Sequence, residues 1–199
     1  LLKDAVDVRN LTLAKGLVDA SGQATAWAGA FASTGAANAV FANLVNESVS
    51  VRGLGGGDNR AGGIVGGGQD QTTFVACTNR ASVKGSCMVG GIQGCAAGDA
   101  GTSLSFYLCS NEGAVESSSD ATVGGIDGGT RESWLYGCSN TGDLVSQNEA
   151  YGFGCQAMAT NCYNGATVSV RGGGGYTFPT GAAGGPTVYY DKEKYTEGI

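Results

Sequence analysis

Histidine is missing from this chain of 199 residues, and proline occurs only twice. The first absence removes every His-dependent triad and every His-bound metal. The second, beside 37 glycines, removes collagen, which needs abundant proline and glycine at each third position. Bases are also scarce, with 11 Lys and Arg against 17 Asp and Glu and a net charge of −6. That balance argues against nucleic acid, which selects a basic patch, and against an anionic membrane surface. No apolar run approaches the ~18 residues of a spanning helix, so membrane insertion is not expected. No basic segment followed by an apolar stretch marks a signal peptide. Helix-period patterning is nearly absent.

Ligand-binding phrases are missing as well. The seven cysteines include no CxxC pair, and without His they do not assemble the clustered ligands of structural zinc. The glycine runs Gly55–Gly57, Gly66–Gly68 and Gly172–Gly175 have neither the spacing nor the partners of a nucleotide-binding loop and read as loops. Gly55-Gly56-Gly57-Asp58-Asn59 is similar to one calcium-binding nonapeptide but has no tandem copy. No cofactor and no metal is expected.

What the chain does have is a period. Cys77-Thr78-Asn79, Cys109-Ser110-Asn111, Cys138-Ser139-Asn140 and Cys162-Tyr163-Asn164 repeat one phrase, and Leu11 and Leu44-Val45-Asn46 hold the same slot upstream. Spacings between slots are 33, 33, 32, 29 and 24 residues. A second column sits three residues before the slot, as Val8, Phe41, Phe74, Phe106, Leu135 and Ala159. A third comprises Gly62-Gly63-Ile64, Gly90-Gly91-Ile92, Gly124-Gly125-Ile126 and Gly152-Phe153-Gly154, with Ala28-Gly29-Ala30-Phe31 as an early variant. Disordered segments have no reason to keep apolar columns, and a period in this range marks stacked supersecondary units.

Short segments rich in β-formers between Asn and Gly punctuation read as strands and turns. The expectation is all-β: a parallel β-helix, or β-solenoid, of six coils of 24–33 residues with a seventh at Thr187-Val188-Tyr189-Tyr190. A right-handed sense follows by analogy with parallel crossovers. Each coil should carry two or three strands: one ending at the slot, one through the following Val, one through Gly-Gly-Ile. Ala24–Ala42 reads as coil. One domain spans residues 1–199, with repeats over 8–191, and the opening Leu1-Leu2-Lys3 reads as lying inside a longer parent protein.

Stacked in register, Cys77, Cys109, Cys138 and Cys162 lie about 4.8 Å apart with parallel Cβ vectors, a geometry that disfavours bridging. They read as an inward ladder of free thiols, in which Cys acts as a small hydrophobe. For Cys87, Cys95 and Cys155 the redox state stays open. Asn46, Asn79, Asn111, Asn140 and Asn164 suit a tight corner through their tolerance of left-handed backbone, and their amides could bond one to the next along the axis.

The alternation of Val-Gly-Gly-Ile with a later Cys-Ser-Asn-x-Gly-x-Val resembles the GLUG-type repeats of bacterial surface proteins. The opening Val8-Arg9-Asn10-Leu11-Thr12-Leu13 and the closing Val188-Tyr189-Tyr190-Asp191 are similar to phrases that flank such repeats. GLUG-type repeats occur in adhesin-like proteins and near the amino-terminal region of some IgA-specific metallopeptidases. The resemblance implies an extracellular location at the bacterial cell surface and transfers no catalytic residue.

Three functions compete. The first is a non-enzymatic adhesin or stalk module, partnered by neighbouring domains of its own parent chain. The second is a carbohydrate-active β-helix, a lyase or glycoside hydrolase, which requires paired carboxylates. Its candidates are Asp120 with Asp127, Glu112 with Glu116, and Glu132 with Glu149, all of which read more simply as solvated surface groups. The third is a module that binds host glycan or host protein. Its candidates are Trp134, Tyr136 and Tyr107, which either form an outward sugar-stacking stripe or divide between core and loop cover. Tyr189, Tyr190 and Tyr195 read as covering the last coil, beside the charged stretch Asp191–Glu197.

Overall fold

The computed structural model describes residues 6–96, 103–119, 122–129 and 132–172, with the backbone of two further strands, Tyr176–Phe178 and Thr187–Tyr190. Every strand pairs in parallel with its counterpart one repeat away, and no helix occurs among the described residues. The fold is a β-solenoid.

Its first sheet starts at Asp7–Leu13 and runs through Val40–Asn46 and the split strands around Cys77, Cys109 and Cys138 to Ala157–Asn164. Thr187–Tyr190 pairs onto the last of these, so the expected seventh coil is present as a strand. Tyr195 and Asp191–Glu197 lie outside the described residues. A second sheet of six strands begins at Gly16–Asp19 and ends at Val168–Val170. A third, also of six, runs from Trp27–Gly29 to Tyr176–Phe178. The fourth holds three strands: Ala32–Thr34, Val65–Gly68 and Gln93–Ala96.

Two expectations fail here. Ala24–Ala42 is not coil, because Trp27–Gly29 and Ala32–Thr34 are strands of the first coil and Val40 opens the next. Gly66–Gly68 is not a loop but the buried part of the strand Val65–Gly68. Pairing with rungs on both sides, at Ala32 and Gln93, supplies the order that glycine does not favour by itself.

The three-residue step from Phe to Cys has a physical reason. Strand side chains alternate in and out, so residues three apart should face opposite ways. One residue inserted in a left-handed conformation resets the alternation, as in a bulge. It falls directly before the slot in each coil: Asn10 (φ 59°), Asn43 (52°), Ala76 (50°), Leu108 (55°), Gly137 (62°) and Asn161 (53°). Phe106 and Cys109 therefore both point inward while Tyr107 and Leu108 both point out. The slot-phrase asparagines, expected to take this conformation, do not. They are in the ladder itself, where their side chains rather than their backbones are needed.

The core forms two clusters. One contains the columns Phe41–Phe74–Phe106–Leu135–Ala159, Leu44–Cys77–Cys109–Cys138–Cys162 and Ile64–Ile92–Ile126–Phe153. Phe41 stacks on Phe74 at 5.4 Å and Phe74 on Phe106 at 4.8 Å, pairs worth about 1 kcal/mol each beyond their burial. The other contains Val51–Val83–Val115–Leu144 and Ala61–Val89–Val123–Ala150. In each coil the chain crosses between clusters twice, once at the Asn and once at the Gly-Gly pair. Those two crossings meet. A Cβ placed on Gly63, Gly91 or Gly125 would lie 2.3, 2.3 or 2.4 Å from Cγ of Asn79, Asn111 or Asn140. Real Cβ atoms do not approach so closely, so the Gly-Gly and Cys-x-Asn columns are two halves of one contact.

Candidate functional surface and inward ladders

The five slot-phrase asparagines are completely buried. Asn46 Nδ2 donates to Asn79 Oδ1 at 2.9 Å, Asn79 to Asn111 at 2.9 Å, Asn111 to Asn140 at 2.8 Å and Asn140 to Asn164 at 3.0 Å. The second amide proton reaches a carbonyl at the turn, Val49 O at 3.0 Å from Asn46, Ala81 O at 2.9 Å from Asn79 and Gly113 O at 2.9 Å from Asn111. Buried amides are costly unless bonded, and here the donors are used along the axis and across it. This column is structural.

Cys77, Cys109, Cys138 and Cys162 occupy one inward column, and none of these four is in a disulfide. Ser110 N donates to Cys77 O, Ser139 N to Cys109 O and Tyr163 N to Cys138 O, each at 2.9 Å, which fixes the slots rung upon rung. Cys77 Sγ donates to Phe41 O at 3.3 Å and Cys138 Sγ to Phe106 O at 3.5 Å. Burial pushes the Cys109 thiol well above its ordinary range, so it stays protonated and unreactive. Cys87 and Cys155 are half-buried, and burial raises both.

Of the carboxylates expected at the surface, Asp127 is misplaced. It is 1% exposed, bridged to Gln93 of the preceding coil, and burial pushes its carboxyl up to about 6. Gly129 N donates to Oδ1 at 3.0 Å, while Oδ2 has no partner among the described residues. The Gly-Gly-Ile strand carries the chain inward past this position, and a surface reading of Asp after Ile126 could not foresee it. Asp120 lies outside the described residues. Glu112 pairs with Arg80, which also holds Glu47, and Glu116 pairs with Lys84 at 2.7 Å and Arg171 at 3.2 Å. The Lys84 hydrogen bond is the main reason that Glu116 is held below the usual carboxylate range. Glu149 accepts from Tyr151 Oη at 2.8 Å, and Glu132 is exposed. Among the described residues no group of three His, Cys, Asp or Glu side chains could hold a metal ion.

Trp134, Tyr136 and Tyr107 lie on the outer face of the first sheet, each between 37% and 40% exposed, with Leu108 and Tyr163 extending the patch. Tyr107 and Tyr136 are register partners whose rings stack at 5.2 Å and 10°. Their faces therefore turn along the solenoid axis toward each other, and the strip presents ring edges and hydroxyls outward. A sugar ring cannot lie between two such faces. Trp134 sits between Ser105 and Met158 and makes no such stack.

No family model matches this chain, and no curated protein matches it either. Among solved structures, its fold is similar to that of a Bacteroides ovatus protein described as a "putative immunoglobulin A1 protease". The TM-score is 0.60 at 18% identity, with 89% of this chain and 61% of that chain covered. The likeness is one of fold, a β-solenoid.

Proposed function

We propose that this chain is a non-enzymatic module of a bacterial cell-surface protein, a solenoid scaffold that holds its outer face and neighbouring domains away from the cell. The observation that carries this reading is how the side chains are used. The inward Asn, Cys and Phe columns hold coil to coil, and Glu112 and Glu116 are held by cations of the adjacent coil. The GLUG-type phrases support the surface location. On this reading the outer strip of Trp134, Tyr136, Tyr107, Leu108 and Tyr163 contacts a host protein or host glycan through ring edges and hydroxyls.

The test is a paired one on the purified chain. Turnover is measured on a panel of polysaccharides and on immunoglobulin A1, which the Bacteroides ovatus protein's name suggests as one host protein to include. Binding to the same panel is measured in parallel. Saturable binding without turnover, weakened by Tyr136→Ala, is the expected result. Cleavage of any panel member by the chain would overturn the non-enzymatic reading in favour of the carbohydrate-active or protease alternative.

A further inference from the structure

The geometry points to a binding site for a neutral saccharide in the cleft between the third and fourth sheets of the first two coils. The cleft has a volume of about 390 Å³ and is lined by Thr25, Ala26, Trp27, Ser33, Thr34 and Gln69. That volume falls within the roughly 300–1,000 Å³ of small-molecule sites. The site stands apart from the outer aromatic strip and does not depend on the surface-module reading.

Trp27 is held in place from below. Arg60, its register partner in the next coil, sits over the indole with Cζ 4.5 Å from the ring centroid. Arg60 is itself fixed by two bonds to Asp58, at 2.9 and 2.8 Å, and by one to Ala96 O at 2.9 Å. A Cβ on Gly67 would lie 3.0 Å from the indole Cε3, so glycine there lets the ring edge pack without displacement. The ring is fixed by Arg60 on one face, and Trp27 lines the cleft.

The rest of the lining selects the ligand. No lining residue is charged, and Arg60, the nearby cation, is taken up by Asp58. A phosphate, sulfate or carboxylate ligand would find no cation in this lining to balance its charge. Thr25, Ser33, Thr34 and Gln69 bring hydroxyls and a carboxamide to the lining. An apolar ligand would bury these groups unbonded, which is unfavourable. A sugar matches both features, with C–H groups for the indole and several hydroxyls that donate and accept.

The chain contains two tryptophans, so Trp134→Phe leaves Trp27 as its one indole. Indole fluorescence of that variant is titrated with neutral oligosaccharides ending in hexose, N-acetylhexosamine or deoxyhexose, with sialylated and sulfated counterparts, and with a tryptic digest of host glycoprotein. A saturable change with at least one neutral saccharide is expected. Thr34→Val and Gln69→Leu, which keep volume and remove hydrogen bonding, should each weaken it about five- to tenfold at the net value of one hydrogen bond. Circular dichroism checks that both variants stay folded. No response to any neutral saccharide, a response to peptides or anionic sugars only, or equal affinity in both folded variants would overturn the assignment.

Discussion

Replacing Asn111 by Ala tests the buried amide column at its centre. The substitution removes three hydrogen bonds: from Asn79 to Asn111 Oδ1, from Asn111 to Asn140 Oδ1, and from Asn111 to Gly113 O. At about 1 kcal/mol net for each bond the loss is about 3 kcal/mol, and acceptors left unbonded at Asn140 and Gly113 add about 1 kcal/mol or more. A total of about 4–5 kcal/mol is a large share of the ~5–15 kcal/mol that stabilises a typical domain. Asn111→Asp supplies a sharper control. The new carboxylate would face Asn140 Oδ1 and Gly113 O, both acceptors, in a buried site, so its folded-state pKa is raised. A raised acid contributes no penalty below its unfolded pKa of about 3.9 and a growing one as pH rises above it. The variant should therefore be closest to wild type in acid and weakest at neutral pH. Urea unfolding followed by far-ultraviolet circular dichroism gives the midpoint and slope for each variant. If Asn111→Ala falls within about 1 kcal/mol of wild type, the amides do not act as a connected ladder.

Further outcomes follow from the same geometry. Gly91→Ala should abolish stable folding, since its Cβ would lie 2.3 Å from Asn111 Cγ and 2.1 Å from Gly125 O, whereas Gly56→Ala meets nothing within 4 Å and should leave the urea midpoint unchanged. Leu108 is 67% exposed and left-handed, so Leu108→Asn should raise stability by about 1 kcal/mol in thermal unfolding, because Asn adopts that conformation more cheaply. Asp127 has its folded pKa raised from 3.8 to about 6, so stability should fall as pH rises from about 4 to 6. Asp127→Asn should flatten that part of the profile and recover up to about 3 kcal/mol at neutral pH. Cys77, Cys109, Cys138 and Cys162 should resist alkylation until denaturant is added, and intact mass should show no disulfide among them.

The period made most of the architecture legible. Slot spacing placed the Phe, Cys and Asn columns on one side of the chain, and stacking them in register required parallel pairing. The left-handed column escaped notice because the residue before the slot is Asn, Ala, Leu or Gly in different coils. Its conformation is imposed by the inward pull of Phe and Cys three apart, not by its own chemistry. The Asn–Gly contact was hidden for another reason: Gly91 meets Asn111 of the next coil, 20 residues on and across the section. Gly66–Gly68 looked like a loop because glycine has no strand signal of its own; neighbours above and below order it. Asp127 and the Trp27 cleft were missed because burial and enclosure depend on where the chain turns after Ile126 and after Thr25, and no repeat column marks those turns.

Hydrogen exchange of the asparagine side-chain amides tests the stacked-ladder account most directly. The Nδ2 groups of Asn79, Asn111 and Asn140 are buried and each donates to the next asparagine, those of Asn79 and Asn111 to a turn carbonyl as well, while Asn38 is exposed. With the carboxamides resolved by nuclear magnetic resonance, the account predicts that the three ladder residues exchange only as the solenoid unfolds, with protection that disappears in step with the urea transition. Exchange of Asn79, Asn111 and Asn140 at the rate of Asn38 under native conditions would contradict it.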